Sequence, residues 1–219
     1  MDTRRNYYNL TKKPYFSPGQ GWHYSSTNYL LLTMIIESIT HSTVFHEIRH
    51  RFLDPLGLRS IFFDYHETIP PEFPLAHNWF DLNQNGILDD LMTEPRKAIA
   101  TWAYGEMYSN ATDLAKWFDD LFRDRVIKKS SLKEILSFYY PTPGEDWMDG
   151  YGLGIGEGNL GKLKYWLHTG SIFGYTSAVA HFPSLKLSMS ILGNDNTRTV
   201  ESIGFLLVTT ILRHFQSFI

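Results

Sequence analysis

Two polar segments that lie far apart in the chain carry side chains able to move protons. Tyr24 stands just before a predicted helix, and His168 stands at the end of a predicted strand. A phenol and an imidazole take part in one proton transfer only within hydrogen-bonding reach of each other or of a shared water. The two residues are 168 − 24 = 144 positions apart, so only the tertiary fold could pair them. Taken alone, a Tyr before a helix is ordinarily a packing residue.

A second pattern, His46-Glu47-Ile48-Arg49-His50, matches the motif in which two His side chains bind zinc and the Glu acts as a base. The helical phase favours a solvated surface, because Val44 and Phe52 mark a buried face and both His residues lie opposite it. No third ligand stands at a recognisable spacing downstream. A zinc metallopeptidase acting through His46 and His50 is therefore the less favoured interpretation.

A third pattern, residues 81–90, is rich in oxygen-bearing side chains and matches the first half of an EF-hand loop. Position 12 of that loop would be a bidentate Glu but is Met92 here. One interpretation is an exposed Asn-Gly hairpin turn. The other is a calcium site whose ligands would be Asp81, Asn83, Asn85 and Asp89.

The composition excludes several classes of protein. The 219 residues carry 20 Lys and Arg against 23 Asp and Glu, and no basic run marks a nucleic-acid surface. The absence of Cys excludes disulfides, thiolate zinc sites and a Cys nucleophile. The longest apolar run, 203–212, is too short to span a bilayer. We therefore expect neither a nucleic-acid partner nor a membrane span.

Apolar periodicity places these residues on a frame of helices followed by strands. The predicted helices lie at about 25–39, 43–53, 112–122, 131–138 and 198–218. The predicted strands lie at about 151–157, 162–169, 175–182 and 185–192. Ser25 or Ser26 would cap the first helix, and Ser131 with Glu134 forms a predicted capping box.

The order of these elements is typical of an α+β fold rather than of repeated βαβ units. We expect one domain over residues 1–219. Within it, 15–140 would form a mainly helical lobe, and 150–219 would form antiparallel strands and a closing helix.

Several motifs in a fixed order resemble the serine β-lactamase and penicillin-binding DD-peptidase superfamily. They include Tyr24-Ser25-Ser26, Asp54-Pro55-Leu56-Gly57-Leu58, Tyr151-Gly152-Leu153-Gly154 and His168-Thr169-Gly170-Ser171. The likeness covers about Phe16 to the C-terminus and is greatest to the branch of class C β-lactamases, D-alanyl-D-alanine carboxypeptidases and esterases. It implies the β-lactamase/transpeptidase fold, in which an antiparallel sheet backed by the C-terminal helix lies beside a helical lobe.

The resemblance also implies a reaction, acyl transfer, in which a Ser attacks an amide, β-lactam or ester carbonyl. Carried over by position, Tyr24 would be the general base and acid, and His168 would supply positive charge or orient the phenol. Ser26 stands where the family has Asn. The remaining substrate-binding residues, with the last giving a backbone N–H to the oxyanion, would be Thr169, Gly170 and Ser171.

The nucleophile motif of the family, Ser-x-x-Lys, precedes its Tyr motif, yet residues 1–23 contain no such sequence. The single match, Ser130-Ser131-Leu132-Lys133, comes later and is better explained by the capping box. We therefore expect the chain to represent the C-terminal part of a family member, without its nucleophile segment. By itself it would be inactive and prone to self-associate through an exposed sheet edge.

The leading hypothesis is thus a β-lactamase-like serine hydrolase that needs no cofactor and acts on a small molecule or peptide. The substrate would be a β-lactam, a D-Ala peptide or an ester. The alternative is a non-catalytic relative that binds peptides or cell-wall fragments. The resemblance implies a periplasmic or other extracytoplasmic location, although the chain shows no signal sequence.

Overall fold

The structure, a computed structural model, describes residues 14–64, 66–92, 105, 107–139, 148–172, 174–195 and 210. Helices come first in the chain and an antiparallel sheet follows. This order confirms the predicted α+β class. The predicted closing helix at 198–218 lies outside the described residues, apart from the helical Thr210. Across the described ranges, no helix combines the length and the apolar character that a bilayer crossing requires.

Helix α1, Ser26–Thr40, is fixed at its start by the Ser25 side chain, which accepts the Thr27 N–H at 3.3 Å. The cap and the helix are as predicted. His41 ends the helix with a φ of 54°, the left-handed conformation common at helix C-termini. Because Tyr24 directly precedes the cap, the start of α1 also fixes where its phenol can lie.

The apolar face of α1 is largely uncovered by the rest of the described chain. Leu30 and Thr33 are the buried residues of this helix. Its exposed large apolar side chains are Leu31, Leu32, Met34, Ile35, Ile36 and Ile39. The apolar periodicity of this segment predicts the helix correctly, but the described residues leave these side chains exposed.

Helix α2, Val44–Ile48, continues through a π-helical turn, Arg49–Leu53, into the short helix α3, Asp54–Leu56. The predicted helix at 43–53 is therefore longer and less regular than its periodicity suggests. Thr43 caps it by accepting the His46 N–H at 3.3 Å. The apolar side chains of this region form the first core cluster, made of Val44, Phe45, Leu53, Leu58, Ile61 and Phe63.

Helix α4, Ala111–Phe122, begins at Asn110, whose side chain accepts the Asp113 N–H at 2.8 Å. Its predicted apolar face is confirmed, because Phe118 and Leu121 are buried. This face is the one that packs on the main sheet.

Helix α5, Lys129–Ile135, begins after Lys128 without a side-chain cap. Ser131 and Glu134 lie inside this helix and are exposed, so the predicted capping box is wrong. The chain is already helical at Lys129, and Ser131 is therefore too far along to occupy the cap position.

The main sheet orders its five strands as β5-β6-β7-β8-β9, and every neighbouring pair is antiparallel. The strands are β5, Gly150–Tyr151; β6, Gly156–Leu160; β7, Leu163–Ile172; β8, Tyr175–Phe182; and β9, Leu187–Gly193. The predicted meander is confirmed. Its first segment is divided, since β5 and β6 are separate strands and the turn that follows β6 is confined to Gly161 and Lys162.

Side chains alternate between the two faces of this sheet. On the face toward α4, Phe122 contacts the rings of Trp166 and His181. The other face carries a second core cluster that includes Met148, Tyr151, Tyr165, Leu167 and Phe182. The sheet is thus packed on both faces, which makes β7 a fixed platform for the residues at its end.

Two short antiparallel pairs lie outside the main sheet. β1, Phe62–Phe63, pairs with β4, Met107–Tyr108, and β2, Trp79–Phe80, pairs with β3, Asp89–Asp90. The Trp79 N–H donates to the Asn194 carbonyl at 2.9 Å, which ties the β2 segment to the chain that leaves β9.

Candidate active site

Tyr24 and His168 lie close together in the fold. Their ring centroids are 6.4 Å apart, with the ring planes inclined at 51°. The start of α1 holds one residue and β7 holds the other. The fold therefore brings the two residues together across 144 positions of sequence, and their catalytic roles stay a prediction.

The Tyr24 phenol is accessible from solvent, since the residue is 39% exposed. Its hydroxyl makes no hydrogen bond to any residue that the structure describes. Its ring contacts Tyr151 edge to face, with a centroid distance of 5.9 Å and an angle of 84°. The phenol is thus held by its ring while its oxygen stays available to a ligand.

Tyr151 is a site residue whose role sequence reasoning missed. Its hydroxyl lies 3.2 Å from His168 Nε2 and 3.3 Å from the Tyr29 hydroxyl. Tyr151 pairs with Gly156 across β5 and β6, and Gly156 pairs with Leu167 on β7. The Tyr-Gly-Leu-Gly motif therefore carries a side chain that contacts the His motif, a contact that only the strand register reveals.

His168 is part-buried, and its two ring nitrogens have different partners. Nδ1 lies 2.7 Å from the Thr169 carbonyl oxygen, and Nε2 faces Tyr151. Burial lowers the pKa of His168 from its ordinary value, and the bond to Thr169 opposes this only in part. His168 is therefore neutral near pH 7. Of its two expected roles, orienting the phenol agrees with this state and supplying positive charge does not.

The two phenols of the site resist ionisation. Burial raises the pKa of Tyr24, and the nearby Tyr29 raises it further. Burial also strongly raises the pKa of Tyr151, and the hydrogen bond from Tyr29 acts in the same direction. No Lys or Arg among the described residues lowers the pKa of Tyr24. A phenolate at Tyr24 near neutral pH therefore requires a cation from elsewhere.

Strand β7 runs past the end of its neighbour β6. Its pairing with β6 ends at Leu167, whereas its pairing with β8 continues through Ile172. Among the described residues, the stretch from His168 to Ile172 thus has one backbone edge without a strand partner. Such an edge can take up an extended, peptide-like ligand as an added strand.

The expected substrate-binding residues surround this edge. Thr169, Gly170 and Ser171 follow His168 along β7, and the last two are exposed. A Cβ at Gly170 would lie 2.7 Å from Ser177 Oγ, so glycine leaves room beside β8. Ser26 is part-buried as the first residue of α1. The structure brings these residues to the Tyr24 and His168 region, and their contacts with substrate stay a prediction.

Ser130, the serine of the single Ser-x-x-Lys sequence, is exposed in the first turn of α5. The described residues show no hydrogen bond or ring contact between it and Tyr24 or His168. Nothing in the described structure connects this serine to the candidate site.

His46 and His50 lie on the surface, as predicted. Their rings are nearly parallel, with centroids 6.0 Å apart, and both residues are exposed. Glu47 pairs with Arg51 at 2.6 Å. The described ranges contain no group of three or more His, Asp or Glu side chains arranged for a metal ion. The zinc interpretation therefore has no third ligand among these residues.

The 81–90 loop is largely exposed and is held by its own side chains. Asp81 accepts the Asn85 and Gly86 N–H groups at 3.0 and 2.7 Å. These backbone bonds hold the pKa of Asp81 below its usual range. Calcium binding through Asp81, Asn83, Asn85 and Asp89 stays a prediction, which calorimetry at millimolar calcium tests.

The chain is similar to proteins of known family. The family model described as Beta-lactamase matches residues 5–204. The D-stereospecific amidohydrolase from Streptomyces sp. superimposes with a TM-score of 0.74 and 29% identity, over 84% of this chain and 54% of that one. The octameric penicillin-binding protein homologue from Pyrococcus abyssi superimposes with a TM-score of 0.76 and 25% identity, over 90% of this chain and 44% of that one. Penicillin-binding protein 4* of Bacillus subtilis is 23% identical over 192 residues.

The chain spans only part of these relatives, about half of the Streptomyces amidohydrolase and 42% of the Bacillus subtilis protein. The superpositions confirm the β-lactamase/transpeptidase fold that the motifs implied. Since the family model covers most of the sequence, the chain belongs to the Beta-lactamase family of serine hydrolases and penicillin-binding proteins.

Proposed function

We propose that this chain forms the proton-transfer and substrate-strand side of an active site that cleaves amide or ester bonds by acyl transfer. The observation that supports this most directly is the 6.4 Å approach of the Tyr24 and His168 rings. It occurs beside a strand edge that can hold a substrate. Proton transfer and substrate alignment are the two tasks that such a reaction requires of these elements.

Tyr24 acts as the general base and acid. As the Ser hydroxyl adds to the substrate carbonyl, the phenolate of Tyr24 takes its proton and then passes it to the departing amine or alcohol. Water then adds to the acyl ester and gives its proton to Tyr24, which passes that proton to the departing Ser oxygen as the acid is released. Because burial raises the pKa of Tyr24, a neighbouring cation must stabilise the phenolate.

The edge of β7 that has no strand partner among the described residues binds the substrate. Thr169 and Gly170 lie along the acyl part, and the backbone N–H of Ser171 donates to the oxyanion. Ser26 faces the same substrate from the start of α1. Its hydroxyl is shorter than the Asn amide of the family and offers a single donor, so it orients the substrate less strictly.

The nucleophile is a Ser from a Ser-x-x-Lys motif other than Ser130-Ser131-Leu132-Lys133, and the Lys of that motif is the cation that Tyr24 requires. Ser130 is exposed on α5 and makes no hydrogen bond to Tyr24 among the described residues. The 219 residues by themselves therefore bind substrate without turning it over.

The neutral state of His168 favours substrates that are uncharged where they meet it. Burial keeps this imidazole neutral near pH 7, and no cation among the described residues acts on it. A carboxylate placed there would be desolvated without a partner. Amides and esters are thus preferred over β-lactams and D-Ala peptides that present a carboxylate, and a solved relative at 29% identity is an amidohydrolase.

A non-catalytic function as a peptide-binding protein is the second candidate. The edge of β7 from His168 to Ile172 supports it, since no described strand pairs with this edge and strand addition needs backbone groups but no nucleophile.

The test is to incubate the purified chain with a fluorescent penicillin, nitrocefin, a simple ester and a D-amino acid amide. We expect neither turnover nor a mass increase by acylation, with Ser130→Ala behaving identically. Acylation that Ser130→Ala abolishes would make Ser130 the nucleophile and overturn the assignment. Peptide binding without any reaction in a longer protein that contains Ser-x-x-Lys would favour the second candidate.

A further inference from the structure

Behind the candidate site, three side chains from separate elements form one hydrogen-bonded row. Tyr29 lies on α1, Tyr151 on β5 and His168 on β7. Their polar atoms are separated by 3.3 Å and 3.2 Å. Gly154, with a φ of 84°, lies against the Tyr29 hydroxyl, and a Cβ there would stand 3.0 Å from it. The row is thus built into the fold, and the acyl-transfer steps assigned to Tyr24 do not use Tyr29 or Tyr151.

The direction of every hydrogen bond in the row follows from its far end. The Thr169 carbonyl oxygen can only accept, so the proton of that 2.7 Å bond belongs to His168 Nδ1. A neutral imidazole carries a single N–H, which leaves Nε2 as an acceptor. The Tyr151 hydroxyl must therefore donate to Nε2, and with its proton used it can only accept from Tyr29. Each group in the row therefore donates to the next: Tyr29 to Tyr151, Tyr151 to His168, and His168 to the Thr169 carbonyl.

We propose that Tyr151, oriented by Tyr29, is a positioning residue that holds His168 as the neutral Nδ1–H tautomer with its ring fixed beside Tyr24. Both ring nitrogens of His168 are then occupied, and neither is available to the substrate. Tyr151 also contacts the Tyr24 ring edge to face at 5.9 Å. The buried phenol of Tyr151 thus sets both the position of Tyr24 and the protonation state of His168.

If the proposed function holds, the neutral tautomer limits what His168 can contribute to the reaction. His168 contributes shape and a fixed dipole but no positive charge at neutral pH. Loss of the Tyr151 hydroxyl removes a donor that stabilises the neutral imidazole, so protonation of His168 becomes easier. The site would then acquire a cation, and the preference for uncharged substrates would weaken.

The experiment is nitrogen NMR of the 219-residue chain labelled with ¹⁵N-histidine, with His168 assigned through a His168→Gln variant. The shifts of the two ring nitrogens distinguish the tautomers without any activity measurement. In the unaltered chain we expect a protonated Nδ1, an unprotonated Nε2 and a titration midpoint below that of free histidine. An Nε2–H tautomer, or a charged ring at pH 7, would overturn the proposal without requiring any variant to fold.

Variants then test the order of the row. Tyr151→Phe should shift the titration midpoint of His168 upward and mix the two tautomers, because Nε2 loses its donor. Tyr29→Phe should shift it less, since Tyr151 can still donate. Tyr165→Phe is the matched control, a buried phenol of β7 in the same core cluster as Tyr151, and should leave His168 unchanged. Equal shifts in Tyr151→Phe and Tyr165→Phe would mean a general loss of packing and would contradict the positioning role.

The positioning role of Tyr151 and the proposed acyl-transfer function can be refuted independently of each other. An acylation result concerns the nucleophile and leaves the tautomer of His168 as it is. A wrong tautomer would remove the positioning role of Tyr151 while the approach of Tyr24 and His168 remained.

Discussion

At the scale of single residues, protonation is governed mainly by burial. Tyr24, Tyr151 and His168 are each shifted toward their uncharged forms, and burial is the largest cause for all three. A site of uncharged groups cannot abstract a proton efficiently near pH 7. Under the proposed function, these residues therefore set the geometry, and the charge that activates the Tyr24 phenol must come from another group.

We predict that Tyr24 ionises at a higher pH than free tyrosine. Removal from water disfavours the phenolate, and the neighbouring Tyr29 adds to the effect. Carbon NMR of ¹³C-labelled Tyr, with Tyr24 assigned through Tyr24→Phe, measures the midpoint directly. A midpoint below that of free tyrosine would reveal a cation near Tyr24 and would contradict this account of the site.

The sequence predicted the residues of the pair but not their environment. The motifs identified Tyr24 and His168, and the predicted cap at Ser25 correctly placed Tyr24 just before the first helix. Tyr151 received no role because its contact with His168 depends on strand register across β6, which a single sequence does not specify. Burial decides whether His168 is charged, and burial is a property of the assembled fold.

At the scale of elements, α4 and the main sheet are joined by an aromatic layer around a buried histidine. His181 stacks on Phe122 at 4.5 Å and on Trp166 at 5.9 Å, and its Nδ1 lies 2.8 Å from Ser188 Oγ. Burial lowers the pKa of His181, Asp119 on α4 opposes this shift, and Arg123, just after α4, adds to it. Protonation of His181 therefore disfavours the packing of α4 on the sheet.

Acid should weaken the fold through this histidine. Its folded pKa lies below the ordinary value of 6.5, so the unfolded chain binds the proton first and stability falls as the pH drops below about 6.5. We expect His181→Gln to flatten the pH dependence of the unfolding free energy, as measured by urea titration between about pH 5 and 8. The exposed His50→Gln is the control. A slope unchanged in His181→Gln would contradict this role.

Elements also meet through close backbone contacts. Gly174, with a φ of 82°, directly precedes β8, and a Cβ at this position would lie 2.6 Å from the Trp79 carbonyl oxygen. Gly86 has nearly the same φ, 83°, but a Cβ there would meet no atom within 4 Å.

Substitution of these two glycines by Ala should therefore separate strain from clash. Both variants put a side chain in the left-handed region, at a cost of about 1–2 kcal/mol. Gly174→Ala adds a backbone clash and should lose roughly 1–3 kcal/mol more in the free energy of unfolding, measured by urea denaturation. Equal losses for Gly86→Ala and Gly174→Ala would show that the β2 segment is not packed against β8 as described.

At the scale of the whole molecule, the described part leaves apolar surface and a strand edge uncovered. Along α1, six large apolar side chains are exposed, among them Ile35 and Ile39. Strand β9 pairs with β8 only, within the described residues. The sequence predicted both elements, but periodicity shows which side of a helix is apolar and not what covers it.

We predict that the chain self-associates in a concentration-dependent manner through the outer edge of β9, as measured by sedimentation velocity. A charge on an edge strand opposes strand pairing, so Leu192→Lys, on β9, should shift the distribution toward monomer. Leu82→Lys is the control, an exposed Leu in the 81–90 loop. A monomer at all concentrations would refute the prediction. An equal shift toward monomer in both variants would exclude the β9 edge as the contact surface.

The extracytoplasmic location implied by the family stays a prediction, and fractionation of the native cell tests it. The division into a helical lobe at 15–140 and a sheet part at 150–219 is also untested, and limited proteolysis would show whether these parts separate. The close approach of the Tyr24 and His168 rings brings the 15–140 and 150–219 parts together at the candidate site.

The measurement that tests the central claim most directly is a ¹⁵N amide NMR titration of the chain with a small uncharged acyl amide. We predict that the amide shifts of Thr169, Gly170 and Ser171 change with the His168 ring signal. Tyr24→Ala should weaken this binding, and the control His50→Gln should not. Shift changes confined to the surface around His46 or the 81–90 loop, with Thr169–Ser171 unaffected, would contradict the assignment of the active site to the end of β7.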